Sequence, residues 1–278
     1  MERNIGTEDI LLSDLSFNYP GQSSPALDGV NLRFERGKFQ AVLGRNGSGK
    51  STLARCLNAL LVPSAGKVVS CGLDTSLAEN SLEIRKNLAM VFQNPDTQMV
   101  GTTVEEEVAF GPENLGLPQT DIRRRVDGAL AMAGISELAK RQPLRLSQGQ
   151  KQLVAIAGAL AMEPAFLVSD ESTSMLDHRS RSRILDLFLG LTKNGVGIIH
   201  VTHFLEEAAL ADTVAVLDGG RLAAEGTPAE VLCEPLRVRA MGMDPLPVTV
   251  VAGELARLGH PHPGPVLTVR ELLSWLSA

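Results

Sequence analysis

Residues 38–61 read KFQAVLGRNGSGKSTLARCLNALL, and this stretch decides the fold. Residues 38–43 look like a strand. Apolar side chains at positions 53, 57, 60 and 61 recur at the spacing of a helix with one buried face. Between them, residues 44–51 satisfy the pattern G-x-x-x-x-G-K-[ST]. We therefore expect a strand, a glycine-rich turn and a helix over residues 50–61.

The glycine-rich turn predicts a loop that binds phosphate. Glycine lets consecutive backbone N–H groups curl around phosphate oxygens, and the following helix directs the positive end of its dipole at them. Lys50 is expected to reach the β- and γ-phosphates, and the Ser51 hydroxyl to ligate Mg²⁺. A turn without a ligand is the alternative, but the flanking strand and amphipathic helix favour a nucleotide. The residues expected at the nucleotide are Gly44, Arg45, Asn46, Gly47, Ser48, Gly49, Lys50, Ser51 and Thr52.

A second apolar run ends in two carboxylates. Residues 166–171 read FLVSDE. Because successive residues of a strand point to opposite sides, the two carboxylates can do different work. We expect Asp170 to orient the Mg²⁺ shell and Glu171 to polarise the attacking water as a general base. The alternative interpretation is a solvated acidic strand end. His203 ends a further apolar run, IIHVTH, where a single histidine is usually structural.

Composition and charge limit the class of protein. The chain has 278 residues, of which 44% are hydrophobic and 21% charged, which suits one α/β domain with a smaller appendage. Its net charge of −6 argues against non-specific nucleic-acid binding. The three cysteines lack CxxC spacing, so neither a disulfide framework nor a zinc site is expected. The acidic N-terminus predicts no signal peptide, and the longest nearly apolar run, Leu153 to Met162, is too short to span a membrane.

Strands alternate with helical patterns along most of the chain, which predicts a predominantly parallel α/β core. Residues 218–226 look like a terminal hairpin. The strand-like stretches are residues 10–17, 38–43, 88–92, 165–169, 196–201 and 213–217.

The composition of the sequence changes after about residue 235, where recurring prolines divide the chain into short segments. Helices are plausible at about 248–258 and 269–277. The second has a capping box of its own, Thr268 with Glu271. We expect a small C-terminal subdomain.

Residues 145–152 read RLSQGQKQ, and a helix is expected to start within them. Ser147 and Gln150 have the spacing of a capping box, with Ser at the N-cap and Gln at the third helical position. The unpaired N–H groups of such a helix end, with their partial positive charge, suit an anion.

Together these motifs resemble those of the ATP-binding cassette (ABC) ATPases, in that family's order and over about residues 8–234. The resemblance implies the P-loop NTPase α/β fold, with a predominantly parallel core sheet and antiparallel β elements. It also implies a helical signature subdomain at about 95–165 and a small C-terminal extension at 235–278.

The resemblance explains the helix that starts near residue 147. In ABC ATPases this signature helix faces the γ-phosphate of ATP held by a second, head-to-tail subunit. The competent enzyme is then expected to be a dimer with ATP and Mg²⁺ as its ligands. The signature residues are Leu146, Ser147, Gln148, Gly149 and Gln150.

Further roles follow from the resemblance alone. Gln93 matches the Q-loop glutamine, which contacts Mg²⁺ or water and connects to the membrane partner. Tyr19 matches the aromatic residue that stacks on adenine, although it could instead be an edge-strand core residue. Ser174 and Asp177 begin and end the D-loop, SMLD. His203 matches the switch histidine that holds the γ-phosphate.

Three positions depart from the family pattern. Gln148 stands where the family most often has Gly, and we expect a working signature with tuned affinity. Ser172 stands where Pro or Ala is usual. Ser169 is polar in a normally apolar strand, which is expected to weaken its packing modestly.

Residues 90–116, MVFQNPDTQMVGTTVEEEVAFGPENLG, resemble a narrower group, the ATPases of energy-coupling factor (ECF) transporters and of their cobalt- and nickel-importing relatives. Residues 170–177, DESTSMLD, resemble the corresponding motif of the same group. Residues 247–276 resemble the short dimerising extension of that group. The resemblance implies two ATPase subunits, identical or not, a transmembrane coupling protein and a membrane protein that captures a vitamin or metal ion. The chain would then work at the cytoplasmic face of the cell membrane.

Other interpretations belong to different classes. An importer ATPase that uses a soluble substrate-binding protein is one. A soluble ABC ATPase of translation or DNA maintenance usually has two cassettes or a long coiled-coil insertion, and the spacing from Lys50 to Leu146 leaves no room for the latter. A regulatory module without turnover is disfavoured by Glu171 and His203.

Overall fold

The structure is a computed structural model that describes residues 8–260 and 264–277. The N-terminal segment, for which the sequence predicts no signal peptide, lies mostly outside the described residues. Pro261 and Pro263 also lie outside them. The strands are Ile10–Phe17 (β1), Leu27–Phe34 (β2), Phe39–Leu43 (β3), Ala65–Ser70 (β4), Leu73–Asp74 (β5), Leu88–Val91 (β6), Phe166–Asp170 (β7), Gly197–Val201 (β8), Thr213–Asp218 (β9) and Arg221–Gly226 (β10). The α-helices are Lys50–Leu57 (α1), Ser81–Asn87 (α2), Val104–Asn114 (α3), Gln119–Met132 (α4), Gln148–Leu160 (α5), His178–Lys193 (α6), Leu205–Ala208 (α7), Pro228–Leu232 (α8), Pro235–Ala240 (α9), Pro247–Arg257 (α10) and Val269–Leu276 (α11).

A mostly parallel sheet forms the centre of the molecule. Within the described part of the chain, its strand order is β10-β9-β3-β8-β7-β6, and only the β9–β10 pair is antiparallel. Every residue of β3, β7 and β8 is buried, as expected for parallel strands covered on both faces. The carboxyl ends of these three strands therefore meet at one edge of the sheet.

A second, antiparallel sheet has the strand order β2-β1-β4-β5 among the described residues. The sequence patterns indicated β1 but not β2, β4 or β5. Register shifts occur in β1 on both sides of Leu15, so the alternation of apolar and polar residues is interrupted. In β2 the buried residues Leu27 and Val30 are three positions apart, so a period of two does not reveal this strand.

Helix α1 is shorter than predicted and ends at Leu57 rather than at residue 61. Ala59 has a φ of 53°, in the left-handed region, and the Leu60 N–H donates to the Arg55 carbonyl at 2.9 Å. This turn ends the helix, while Leu61 still packs on the core shared with the antiparallel sheet.

Helices α3, α4 and α5 contact one another and pack on one hydrophobic core with α6. Val238 and Val248, from α9 and α10, belong to the same core. The C-terminal helices are thus packed on the body of the protein. No helix within residues 8–260 and 264–277 is long and apolar enough to cross a membrane.

Candidate functional site

The loop after β3 has a backbone that only glycine can adopt at two points. Gly44 and Gly49 have φ values of 152° and 102°. A Cβ on Gly44 would lie 2.3 Å from the Leu217 carbonyl oxygen, and one on Gly49 would lie 2.4 Å from that of Ala26. The glycines therefore allow a tight loop that leads directly into α1.

Lys50 is almost completely buried within this loop, with 4% of its surface exposed. Its Nζ donates to the carbonyl oxygens of Gly44 at 2.9 Å and Arg45 at 3.1 Å, and lies 3.4 Å from Glu171 Oε1. Oxygen acceptors on several sides compensate the ammonium for its lost hydration. The charge is thus held where phosphate oxygens would enter the loop.

Ser51 and Asp170 meet where α1 begins and β7 ends. The Ser51 hydroxyl donates to Asp170 Oδ1 at 2.9 Å. Burial raises the pKa of Asp170 and the Glu171 carboxylate adds to this, whereas the hydrogen bond from Ser51 opposes it. With Gln93, both residues line a cavity of 370 Å³. Hydroxyl, carboxylate and amide oxygens are ligands that Mg²⁺ accepts, so these residues fit the expected ion.

Glu171 directly follows the last residue of β7 and has a strained backbone conformation, with a φ of 51°. Its N–H donates to the Val201 carbonyl of β8 at 2.9 Å. The His203 Nδ1 lies 3.9 Å from Glu171 Oε2. Two neighbouring strands thus bring the predicted base and the predicted switch histidine together.

Gln93 links two of the predicted site segments. Its Nε2 donates to Ser174 Oγ at 3.2 Å, and the Ser174 hydroxyl donates to the Glu171 carbonyl at 2.8 Å. Asp177 caps α6 by accepting hydrogen bonds from the Ser180 N–H and hydroxyl. The D-loop therefore lies between Glu171 and the start of α6.

A cavity of 520 Å³ opens over the phosphate loop. Tyr19 lines it, and its hydroxyl lies 3.1 Å from Thr52 Oγ1 while Phe17 packs edge-on against its ring. Arg45 and His203 line an adjoining cavity instead. The predicted residues that line the 520 Å³ cavity are Tyr19, Asn46, Gly47, Gly49, Lys50, Ser51, Thr52, Gln93 and Glu171.

The signature segment begins α5 as predicted. Ser147 is the N-cap, and a complete capping box joins it to Gln150. A Cβ on Gly149 would lie 2.5 Å from Ser180 Oγ, so the small residue allows close packing on α6. Within the described part of the chain, the lining of the 520 Å³ cavity includes none of residues 146–150.

The side chain of Gln148, which stands where the family most often has Gly, bonds to a neighbouring segment. Its Nε2 donates to Asp96 Oδ2 at 3.0 Å, and Lys151 Nζ lies 2.6 Å from Asp96 Oδ1. These donors, Lys151 first, hold the pKa of the Asp96 carboxyl below its usual range. The signature helix is therefore bonded to the segment that follows Gln93.

A buried polar group that the sequence did not predict lies behind the site. β8 ends at Val201, so His203 lies beyond the strand, and His200 is the buried histidine within it. His200 Nδ1 lies 3.0 Å from Ser169 Oγ, which lies 2.5 Å from Ser172 Oγ. Two of the three departures from the family pattern, Ser169 and Ser172, are thus hydrogen-bonded to each other. A polar residue inside an apolar strand was the available signal, because such a residue needs a buried partner.

A largely parallel sheet whose strand ends carry a phosphate loop, two carboxylates and a histidine defines a P-loop nucleotide hydrolase. Comparison with known proteins identifies its class more closely: the chain matches the ABC transporter family over residues 27–174 and belongs to that family. It is thus an ATP-hydrolysing protein of the ABC type, and the predicted fold class is confirmed.

Its similarity to individual ABC proteins extends over nearly the whole chain. It is 52% identical to the energy-coupling factor transporter ATP-binding protein EcfA1 of Symbiobacterium thermophilum, over 90% of this chain and 88% of the relative. It is 42% identical to the cobalt import ATP-binding protein CbiO of Syntrophus aciditrophicus, over 96% and 97%.

Solved structures show the same similarity. The structure of cbiO1 from Clostridium perfringens, described as part of the ABC transporter complex cbiONQ, superposes with a TM-score of 0.77 and 37% identity, over 90% of this chain and 97% of that one. The ATP-binding cassette MJ0796, a dimer in a post-hydrolysis state with ADP and Pi, gives a TM-score of 0.71 and 28% identity, over 79% and 98%.

Proposed function

We propose that this chain is the ATP-hydrolysing subunit of an ECF-type importer and that it powers uptake of a vitamin or a transition-metal ion. The observation that carries the proposal is 52% identity over 90% of the chain to a protein named as an ECF transporter ATPase. The similarity to a cobalt import ATPase and to a subunit of the cbiONQ complex supports the same class.

The proposed organisation is an ABC cassette over residues 8–234 and a C-terminal dimerisation subdomain over 235–278. Within the cassette, residues about 95–165 form the helical signature subdomain. The mutual packing of α3, α4 and α5 supports this assignment. The placement of the 520 Å³ cavity away from residues 146–150 supports a composite site completed by a second subunit.

ATP is proposed to lie with its adenine at Tyr19 and its phosphates in the 44–52 loop. Lys50 would exchange its bonds to loop carbonyls for bonds to the β- and γ-phosphate oxygens. Ser51, Gln93 and Asp170 would hold Mg²⁺, which when bound neutralises charge that develops on the phosphate oxygens.

Glu171 is proposed to accept the proton of the attacking water, and His203 to hold the γ-phosphate. The 3.9 Å separation between the Glu171 carboxylate and the His203 ring supports this division of work. The signature of a second subunit, with Ser147 and the N–H groups near Gly149, would complete the γ-phosphate site.

Two such composite sites would couple the binding and hydrolysis of ATP to movement of the membrane partner's coupling helices. ATP bound across both half-sites stabilises a closed dimer, and hydrolysis removes the bridging γ-phosphate. The coupling helices of a membrane partner would rest near Gln93 and residues 94–104, on the cytoplasmic face of the membrane. The ATPase does not touch the transported molecule, so its residues do not encode the substrate.

The proposal is tested by purifying the tagged chain from gently solubilised native membranes and identifying the proteins that co-elute. We expect a transmembrane coupling protein, an ATPase partner and one or more small substrate-capture membrane proteins. An untagged strain, treated in parallel, controls for adventitious capture.

Two other results would contradict the proposal in different ways. Recovery of a soluble substrate-binding protein with paired permeases would assign the chain to a conventional importer. Recovery of no membrane partner would favour the soluble ABC ATPases.

A further inference from the structure

A buried carboxylate lies behind the proposed site and bonds to several of its segments. Glu207, on α7, is 1% exposed. Its Oε2 accepts a hydrogen bond from Thr202 Oγ1 at 2.5 Å and another from Thr173 Oγ1 at 3.0 Å, and it lies 2.7 Å from His200 Nε2. An ionised carboxylate only accepts, so His200 Nε2 is the donor. We call these four residues the Glu207 cluster.

The hydrogen-bond donors of the cluster come from segments that are separate in the sequence. Thr173 directly precedes the D-loop, residues 174–177. Thr202 directly precedes His203, and the Thr202 hydroxyl also accepts the Phe204 N–H at 3.1 Å. One carboxylate oxygen thus joins the D-loop to residues 202–206, which we call the switch loop.

A cation on α6 completes the surroundings of Glu207. Arg181 Nε lies 3.3 Å from Glu207 Oε1, and the guanidinium stacks over the Phe204 ring at 3.9 Å. Arg181 Nη2 also donates to the carbonyl of Leu176 in the D-loop at 3.5 Å. The second carboxylate oxygen therefore faces a residue that touches the same two loops.

The Glu207 carboxylate is compensated mainly at Oε2, since Oε1 faces Arg181 Nε at 3.3 Å but has no hydrogen-bond partner within the described residues. Burial alone would raise the pKa of Glu207, but the hydrogen bonds from His200, Thr202 and Thr173 outweigh it and hold the pKa below its ordinary value. A buried charge with several short bonds is costly to disturb, because any lost donor leaves part of the charge uncompensated. The two loops are therefore constrained to move together.

We infer that Glu207 is a positioning residue that fixes the D-loop and the switch loop in one arrangement, so that a shift of the D-loop displaces His203. The inference rests on the proposed function, which places His203 at the γ-phosphate.

The test is Thr173→Val in the full-length chain, because it removes one donor to Glu207 and nearly keeps the side-chain shape. The first readout is amide hydrogen exchange without nucleotide. We expect exchange in residues 202–208 to quicken by about tenfold, although the change lies on another segment. The second readout is ATP turnover, where kcat should fall by roughly tenfold with KM within about twofold, because a misplaced group weakens the transition state.

Two control variants separate positioning from loss of stability. Thr173→Ser keeps the hydroxyl and should restore both readouts. Thr249→Val also removes a buried hydroxyl, one that donates to the Leu246 carbonyl at 2.8 Å in α10, and should change neither readout.

The inference is overturned if Thr173→Val resembles Thr249→Val, with exchange altered only near residue 173 and kcat unchanged. Should Thr173→Val fail to fold, Thr202→Val removes a donor to the same oxygen from the other side. It must then quicken exchange in residues 172–177. A parent chain that does not turn over ATP would count against the proposed function alone, because hydrogen exchange needs no nucleotide.

Discussion

At the scale of single residues, Gln148 illustrates how a departure from a family pattern is accommodated. Its amide reaches Asp96 rather than filling the space in front of the helix end. The N–H groups of Gln148 and Gly149 remain available to an anion, because the capping box uses those of Ser147 and Gln150. The added side chain therefore changes the link to the segment after Gln93 more than it changes the signature itself.

We predict that Gln148→Gly leaves ATP turnover within severalfold of the parent. The variant loses one exposed hydrogen bond, while Lys151 still holds Asp96 at 2.6 Å. Glycine in the first helical turn costs about 0.5–1 kcal/mol of stability relative to alanine. Steady-state turnover measures the effect, and Gln148→Ala separates loss of the amide from added backbone freedom. A change of a hundredfold in either direction would contradict the prediction.

The residues that could be predicted are those whose chemical role follows from a pattern of neighbouring residues in the sequence. Spacing predicted the phosphate loop at 44–51, and a strand that ends in two acids predicted roles for Asp170 and Glu171. The Glu207 cluster could not be found in this way, because its residues come from three separate segments. Only the packing of β7, β8 and α7 brings them together.

At the scale of elements, the β7–β8 pair shows how closely the sheet is packed beneath the site. Phe166 and Gly197 are direct partners in register, and Phe166 is fully buried. A Cβ on Gly197 would lie 2.4 Å from Cδ1 and Cε1 of Phe166. The ring occupies the volume that any side chain at position 197 would need.

We predict that Gly197→Ala lowers the free energy of unfolding by about 1–3 kcal/mol, because the inserted methyl group forces Phe166 or the strand to move. Denaturant unfolding measures the loss. The matched control is Gly190→Ala in α6, where an added Cβ meets nothing within 4 Å and where alanine favours the helix. Equal stability of the two variants would show that the strand pair relaxes without cost.

Element boundaries were predictable where the pattern was uniform and uncertain where tertiary contacts decide them. The buried strand β3 starts at Phe39, one residue later than predicted, and ends at Leu43 as predicted. Helix α1 ends four residues earlier than predicted, because a left-handed turn follows it. The β-bulges of β1 and its partner β2 required knowledge of the pairing. Local periodicity cannot report such contacts.

At the scale of the whole molecule, the two segments proposed as halves of an ATP site do not meet within one chain. The phosphate loop opens into the 520 Å³ cavity, and the signature helix begins elsewhere, against Ser180 and Asp96. Helices α9 and α10 share the main hydrophobic core, so the C-terminal segment is held in a fixed place on the cassette. A second subunit placed head to tail would bring each signature to the other phosphate loop.

We predict that Glu171→Gln forms a stable dimer with Mg²⁺ and ATP. The amide keeps the size of the carboxylate but cannot accept the proton of water, so the bridging γ-phosphate persists. Before ATP binds, Lys50 of the variant still has the Gly44 and Arg45 carbonyls as acceptors, so the loop should remain intact. Light scattering at saturating ATP, with the co-purifying ATPase subunit included, measures the assembly. ADP in place of ATP is the nucleotide control.

The matched variant is Glu171→Gln combined with Ser147→Arg. It retains the phosphate loop but places a bulky cation where the signature should approach the γ-phosphate of the other subunit. We expect this double variant to bind ATP and to remain monomeric, because each composite site loses its second half. If Glu171→Gln itself stays monomeric at saturating ATP with its cognate partner present, dimer closure across the γ-phosphate is wrong for this chain. If the double variant dimerises as well, the subunits associate through another surface, for which the C-terminal helices would be the first candidate.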